Sequence, residues 1–422
     1  MSVRRDSATR PGSDGMTLWK AYGPIRGPPL AVRGVMWYCT LGVFRMKKMH
    51  FNIDVLGGCN LRCPSCPQGN VKGYRLPSGQ MDPKLLTDVV SKARSECEVM
   101  GIELFNWTEP LLHSKLPELI RIVNAGQISC HLSSNLNVLR EADEVLAANP
   151  YSFRISCSGF TQEVYGYTHR GGDIKRVKKN MILLAEAKRR QKATTRLHVL
   201  YHRYKHNLRD EPPLRAFANS LGIEFQPVWA FMMPLEKVLA FIEENPGEAG
   251  WTEEDSQLVS KLALGLREAF QTAEKYKDQR CFLQDSKIAM DFQANVQLCC
   301  AVYDASKFTI ANFLTTPLEE IQRRKYAHEM CARCAKHGAQ VYVNCGVHEF
   351  EEVAVRNVPP EDARLLDLKF ELMNTKFRRG LERVYRDYFS SFLSLAQSAW
   401  LGTQYDRLQR GLRVAKRAIS RK

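Results

Sequence analysis

Short apolar stretches alternate with amphipathic stretches between residue 50 and about residue 230. Six stretches have the alternation typical of β-strands, and they lie at 50–56, 101–106, 128–133, 152–157, 195–201 and 223–229. Apolar residues recur at helical spacing between them, at 82–98, 115–125, 140–148, 174–190 and 213–220. This rhythm predicts an α/β fold of six βα units, which both a doubly wound sheet and an open partial barrel satisfy.

The rest of the chain divides into segments of different character. Residues 1–45 are basic and irregular, and we expect them to form an extension ahead of a βα domain at 46–233. Residues 234–280 predict a helical connector. Residues 281–350 contain a second group of cysteines, and 351–422 predict basic C-terminal helices.

Three cysteines follow the first predicted strand at C-x3-C-x2-C spacing, namely Cys59, Cys63 and Cys66. A loop this short can place three thiolates on one face of a metal cluster and leave one metal position for another ligand. We expect Gly57 and Gly58 to give the loop backbone positive φ angles. A structural zinc knuckle is the alternative, although no fourth Cys or His follows at finger spacing.

Four more cysteines lie beyond residue 280, namely Cys281, Cys299, Cys331 and Cys334. The segment between the first two predicts a hairpin with its turn near 293–295, which would make their thiols neighbours. The C-x2-C pair follows a helix predicted near 317–328. Four thiolates can complete a [4Fe–4S] site or a zinc site. Cys300 is an alternative to Cys299 as the second thiolate ligand, and we expect Cys299 to take this role.

The cysteine loop and the turns after the next three strands together resemble the radical S-adenosylmethionine (SAM) superfamily over roughly residues 50–345. The segment Trp107-Thr108-Glu109-Pro110 is similar to the family's Gly-Gly-Glu-Pro, without its two glycines. Ser133-Ser134-Asn135 is similar to the family's Ser-Thr-Asn-Gly turn. Arg154-Ile155-Ser156-Cys157-Ser158-Gly159, followed by Arg170, is similar to the turn after the fourth strand.

This resemblance implies a partial (β/α)6 TIM-like barrel. In it Cys59, Cys63 and Cys66 hold a [4Fe–4S] cluster to which SAM binds. It further implies cofactor-binding roles for five residues. Glu109 would bind the SAM ammonium, Ser134 and Asn135 would face the nucleoside, and Ser156 and Arg170 would hold the ribose and carboxylate.

The second cysteine set resembles the twitch or SPASM-like extension of these enzymes. It implies an auxiliary [4Fe–4S] cluster held by Cys281, Cys299, Cys331 and Cys334. The implied reaction is reductive cleavage of SAM and abstraction of a substrate hydrogen atom. We expect dehydrogenation or epimerisation of a small hydroxylated or carbohydrate-like molecule, with Cys345 as a candidate hydrogen donor. A peptide-modifying maturase is the alternative. Either enzyme needs an external electron donor such as flavodoxin or ferredoxin.

The net charge of +16 resides in the two ends of the chain. Residues 1–50 have 9 Lys/Arg against 2 Asp/Glu, and residues 376–422 have 12 against 3, so residues 51–375 are neutral. A neutral central body argues against a nucleic-acid substrate. The alternative function outside the enzyme class is that of a non-catalytic zinc protein that binds nucleic acid through its basic tail.

Cellular location follows from cysteine use and hydropathy. Clustered cysteines in a chain of 422 residues favour metal ligation in a reducing compartment, and we expect a cytoplasmic protein. No apolar run approaches the roughly 18 residues of a membrane span. The basic helix predicted at 403–422 fits peripheral contact with an anionic membrane, a partner, or simple exposure to solvent.

Overall fold

The computed structural model of the chain describes residues 46–344 and 347–369. The predicted N-terminal extension at 1–45, Cys345 and the greater part of the predicted C-terminal helices, including the basic helix at 403–422, lie outside the described residues.

Nine strands of the described residues form one sheet. They are β1 Lys48–Ile53, β2 Glu98–Glu103, β3 Cys130–Ser134, β4 Ser152–Ser156, β5 Arg196–Arg203, β6 Glu224–Trp229, β7 Lys287–Met290, β8 Asn295–Gln297 and β9 Thr309–Asn312. Their order across the sheet is β6-β5-β4-β3-β2-β1-β7-β8-β9.

The α-helices of the described residues cover the crossovers and the C-terminal half. They are α1 Pro67–Asn70, α2 Pro83–Glu96, α3 Leu116–Ala125, α4 Ala142–Ala147, α5 Gln162–Thr168, α6 Ile174–Arg190, α7 Glu211–Ser220, α8 Leu235–Ile242, α9 Glu253–Lys261, α10 Leu266–Ala273, α11 Phe282–Ser286, α12 Ala305–Phe308, α13 Leu318–Ala327, α14 Glu329–Lys336, α15 Ala339–Val343, α16 Glu349–Arg356 and α17 Pro360–Leu365.

The strand order decides between the two architectures that the sequence pattern allows. Strands β1 to β6 are parallel and lie side by side in chain order. A doubly wound sheet reverses its strand order midway through its βα units, whereas here the six units run in one direction and only the hairpin strand β7 lies on the other side of β1. The fold is therefore the open, partial TIM-like barrel, and the residues after each parallel strand share one rim.

The six predicted strands are all present, but the second is displaced. Its ladder runs over Glu98–Glu103, whereas the apolar pattern predicts 101–106. Leu104 and Phe105 are buried beyond the end of the ladder, in the turn that follows it. The apolar pattern in the sequence indicates which residues are buried, and burial here continues past the end of the hydrogen-bonded strand. The short helix α5 is not predicted by the pattern.

The hairpin predicted between Cys281 and Cys299 is confirmed as β7 and β8, which pair antiparallel. Ala294 in its turn has a φ of 63°. Strand β7 pairs in parallel with β1, so the hairpin extends the barrel sheet. The hairpin between Cys281 and Cys299 is thus hydrogen-bonded to β1, the strand that precedes the first cysteine loop.

The two faces of the parallel strands differ in polarity. Ile155 of β4 and Val199 of β5 are fully buried in the apolar core on one face. Ser133, Arg154 and His198 are register partners on the opposite face. That face borders a polar interior instead of a filled apolar one. No helix of the described residues has both the length and the apolar character needed to cross a membrane.

Candidate active site

The cysteine loop is held in shape by hydrogen bonds from three directions. The Cys66 amide donates to the Cys63 carbonyl at 3.1 Å, which closes a turn. The Asn70 side-chain amide donates to the carbonyls of Pro64, at 2.9 Å, and Met233, at 2.8 Å. The Tyr204 hydroxyl donates to Ser65 Oγ at 2.9 Å. Side chains from outside the loop therefore fix its position before any metal binds.

The prediction of positive φ angles at Gly57 and Gly58 is wrong, because neither residue has one. Glycine is required at position 57 for a different reason. A Cβ atom there would lie 1.7 Å from the Pro77 carbonyl oxygen. Close approach of two loop segments, rather than backbone conformation, excludes a side chain at this position. Gly58 has open space where a Cβ would lie.

The three thiols of the loop are half-buried and close enough for their charges to interact. Burial raises the pKa of Cys59 to about 11 and the pKa of Cys66 to about 12. Burial also raises the pKa of Cys63 well above its usual value, and the neighbouring Cys66 and Cys59 thiols raise it further. The thiols are therefore protonated at neutral pH in the metal-free protein and lose protons when a metal binds.

A cavity of about 640 Å³ opens beside this loop at the rim of the barrel. The predicted site residues that line it are Cys59, Cys63, Cys66, Glu109, Ser134, Asn135 and Ser156. A cavity of this volume is in the range of cofactor and small-ligand sites. Three thiols on one wall and a carboxylate on another fit a thiolate-bound cluster with a cationic ligand beside it.

Glu109 is buried, with an exposed fraction of 2%. One carboxylate oxygen accepts from the Leu111 amide at 3.1 Å, so the residue does cap the short helical turn at Pro110–Leu112. The other oxygen accepts from the Asn135 amide at 2.8 Å. Capping and ligand binding are thus compatible here, because each oxygen has a second lone pair and the residue lines the cavity.

Asp54, which the sequence analysis misses, supports the turn that carries Glu109. Its buried carboxylate accepts backbone N–H groups from Asn106, Trp107 and Thr108, at 2.9 to 3.1 Å. It also accepts the Thr108 hydroxyl at 2.7 Å. Two features of the sequence could have indicated this role. An acidic residue directly follows the first strand, and the Glu109 turn has Trp107 and Thr108 in place of the family's glycines.

We expect Asp54→Ala to lower the free energy of unfolding by about 3 kcal/mol, because three backbone N–H groups lose their acceptor. Urea unfolding monitored by circular dichroism measures this loss. Asp82→Ala, which removes the exposed N-cap of α2, is the matched control and should cost about 1 kcal/mol. Equal losses in the two variants would contradict a special role for Asp54.

The remaining predicted SAM-binding residues differ in their placement. Ser134 Oγ accepts from the Leu136 amide at 2.8 Å. Asn135 directs its amide towards the cysteine loop, donating to Asn60 Oδ1 at 2.9 Å and to Cys59 Sγ at 3.7 Å. Ser156 Oγ lies 3.4 Å from the imidazole of His169. These side chains are already bonded to protein groups at the cavity wall.

Arg170 does not line the cavity, although its charge acts on the Cys63 thiol and its carbonyl accepts from the Arg62 amide at 3.0 Å. Its half-exposed guanidinium lies 3.4 Å from Glu254. The preceding residue, His169, lines the cavity instead and stacks on Tyr165 with ring centroids 4.7 Å apart. Burial lowers the pKa of His169 to about 3, so its imidazole is neutral. Sequence reasoning selected the cation of this pair, whereas the structure turns the neutral neighbour inward.

The second cysteine group also converges. Cys281, Cys299, Cys331 and Cys334 line a separate cavity of about 250 Å³. Cys331 and Cys334 lie one turn apart on α14, which places both thiols on one helix face. Cys299 lines this cavity and Cys300 does not. Within residues 46–344 and 347–369, no three Cys, His, Asp or Glu side chains are spaced to hold a single metal ion.

A buried lysine, also missed by the sequence analysis, accompanies these thiols. Lys325 at the end of α13 donates from Nζ to the carbonyls of Leu283, at 2.9 Å, and Lys287, at 2.6 Å. Its charge opposes the rise in the pKa of Cys299, which a hydrogen bond with Cys300 and burial cause, and the rise in the pKa of Cys331, which burial causes. A cation at this position favours thiolates.

Comparison with known proteins gives one match to a family. The family model of the radical SAM superfamily matches residues 53–210. No curated protein matches the sequence.

Several solved structures resemble the fold. Streptococcus suis SuiB bound to S-adenosylmethionine is 14% identical, with 65% of each chain covered and a TM-score of 0.46, so the match spans just under two thirds of that SuiB chain. Native anSMEcpe with bound AdoMet is 16% identical, with 78% of this chain and 100% of that one covered and a TM-score of 0.46. BtrN in complex with AdoMet and 2-DOIA is 13% identical, with 70% and 89% covered and a TM-score of 0.41. These identities and TM-scores are too low to transfer a substrate.

Proposed function

We propose that the chain, in which residues 53–210 form a radical SAM domain, is an enzyme that cleaves SAM reductively and removes a hydrogen atom from a small substrate. One observation carries the proposal: three thiols and the buried carboxylate of Glu109 line the same cavity. Cys59, Cys63 and Cys66 would hold a [4Fe–4S] cluster. When bound, the cluster and SAM supply the radical that abstracts the hydrogen atom.

The chain's own residues would bind and orient the reactants. Glu109 would accept the SAM ammonium, a pairing of charges in a site shielded from water. Ser134, Asn135 and Ser156 would contact the nucleoside side of SAM. His169 and His202 line the same cavity, and burial lowers their pKa values to about 3 and about 4, so neither adds positive charge beside the sulfonium.

The proposed substrate is a small hydroxylated or carbohydrate-like molecule that is dehydrogenated or epimerised. The cavity volume of about 640 Å³ supports this choice over a peptide, because the same space must also contain SAM. We further propose an auxiliary [4Fe–4S] cluster at Cys281, Cys299, Cys331 and Cys334. A cytoplasmic location with flavodoxin or ferredoxin as electron donor completes the proposal.

The proposal is tested by incubating the anaerobically reconstituted full chain with SAM, dithionite and candidate substrates. Formation of 5′-deoxyadenosine and transfer of deuterium from a labelled substrate position are the expected results. Zinc without iron in the purified protein, together with no cleavage of SAM, would instead support the non-catalytic zinc protein.

SAM binding should weaken as the pH falls. Burial raises the pKa of Glu109 to about 7, and only its carboxylate form attracts an ammonium. The Kd for SAM should therefore rise about tenfold for each unit below pH 7. The histidines with pKa values of about 3 and about 4 stay neutral in this range, and Asp54, whose pKa burial raises to about 6, titrates lower.

Anaerobic calorimetry of the reconstituted protein between about pH 6 and pH 8 measures this dependence. Glu109→Gln should bind SAM weakly with a flat profile, since the amide does not titrate in this range. An unchanged slope in this variant would assign the pH dependence to another group.

A further inference from the structure

A second charged group faces the cavity, on the side of the barrel interior. Arg154 of β4 lines the cavity together with Ser156, His202 and Gln226. It lies two residues before Ser156 on the same face of the strand, and hence deeper in the barrel. None of the SAM-binding or cluster-binding roles proposed above falls on Arg154.

The guanidinium of Arg154 is fixed in place but has hydrogen-bonding capacity left over. Its Nε donates to Ser133 Oγ at 2.9 Å, and its plane lies over the Phe105 ring, 4.6 Å from the ring centroid. Its two Nη groups have no hydrogen-bond acceptor among residues 46–344 and 347–369. An arginine held at Nε and stacked on one face presents its remaining N–H groups in a fixed orientation.

Arg154 also lacks an acidic partner in the described part of the chain. Glu103, the acid whose charge acts on Arg154, is already bonded to the Asn52 amide at 2.6 Å and to Lys287 at 3.2 Å. Buried Arg203, by contrast, pairs with Glu211 at 2.7 Å. A cation removed from bulk water without a counterion is costly, so the interior of this barrel is arranged to receive an anion.

We propose that Arg154 binds a carboxylate of the substrate, so that the small molecule the enzyme acts on is a monoanionic acid. This inference rests on the proposed function, because it assigns the deep part of the cavity to the substrate. A planar carboxylate matches the fork of the guanidinium.

A single charge on the ligand follows from the charges around Arg154. The neighbouring His202 is neutral at pH 7 and contributes none, since burial and Arg154 lower its pKa to about 4. One cation balances a carboxylate and leaves a phosphate dianion half neutralised. Ser156, His202 and Gln226 remain to contact polar groups elsewhere on the substrate.

Saturation-transfer NMR with three small probes of known identity tests the proposal on the full, reconstituted chain. Acetate supplies the carboxylate, acetamide is its neutral isostere, and methylphosphonate supplies the other common anion. At constant ionic strength we expect acetate to bind better than either. Arg154→Gln should weaken acetate binding about tenfold, and Arg154→Lys should weaken it less, since lysine retains the charge but not the fork.

Arg190→Gln, at an exposed arginine paired with Asp143, is the matched control and should bind acetate as the wild type does. Equal acetate binding by Arg154→Gln and wild type would overturn the proposal, and so would stronger binding of methylphosphonate. Displacement of acetate by saturating SAM would assign Arg154 to SAM and also overturn it. Acetate binding at Arg154 in a protein that cleaves no SAM would instead contradict the proposed function and leave the anion site intact.

Discussion

Replacing Cys59, Cys63 and Cys66 together by alanine is expected to abolish SAM cleavage and to remove about half of the iron. The triple variant loses every thiol ligand of the proposed SAM-binding cluster and retains the four thiols around the second cavity. If both cavities hold a cube, iron should fall from about eight to about four atoms per chain. Iron and sulfide assays and 5′-deoxyadenosine formation measure the two effects.

Cys97→Ala is the matched control for the triple variant. Its thiol is buried, lies 3.1 Å from the Ala93 carbonyl and lines neither cavity. Iron content and SAM cleavage should match the wild type. Full iron content in the triple variant would show that the first cavity does not bind a cluster, whatever the second one binds.

The largest effect on stability is expected from Lys237→Met. Lys237 of α8 forms an ion pair with Asp255 at 2.7 Å, and both side chains are 2% exposed. Its ammonium also donates to the Asn70 carbonyl at 2.6 Å, at the end of the cysteine loop. Methionine preserves the volume of the stem but leaves Asp255 buried without its cation, which costs about 3–5 kcal/mol.

Urea unfolding of the metal-free protein measures that loss. The double variant Lys237→Met/Asp255→Asn should lose less than the sum of its single variants, because the second change removes the unpaired charge. Lys84→Met, at an exposed pair with Asp88, is the control and should change stability little. A loss in Lys237→Met as small as in this control would contradict the assigned pairing.

The same lysine links stability to the site, because Asn70 bonds the loop at Pro64 and connects it to Met233, just before α8. Slower iron incorporation by folded Lys237→Met is therefore expected, and absorbance near 400 nm during reconstitution measures it. An unchanged rate of iron incorporation would show that the ion pair contributes only to stability.

The elements that the sequence predicts well are those governed by local periodicity. The helix predicted at 174–190 is observed as Ile174–Arg190, since its apolar face repeats over four turns between an Asp cap and a basic end. The hairpin between Cys281 and Cys299 is found because turn residues separate two short apolar runs. Cysteine spacing likewise selects both thiol groups, because short loops and one helical turn fix which thiols can meet.

Features that depend on distant contacts are not predictable in this way. The guanidinium of Arg170 lies near Glu254, which is remote in the sequence, and does not line the cavity. Asp54 and Lys325 become functional candidates only when the fold brings backbone groups or thiols to them. The need for glycine at position 57 arises from the approach of Pro77, and no local pattern reveals such an approach.

The EPR spectrum of the reconstituted, dithionite-reduced protein, recorded with and without SAM, shows whether the three loop thiols hold a cluster to which SAM binds. We expect a [4Fe–4S] signal that changes when SAM is added and a loss of that SAM-dependent change in the Cys59/Cys63/Cys66 triple variant. A wild-type spectrum that is identical with and without SAM, or the same response in the triple variant, would contradict this expectation.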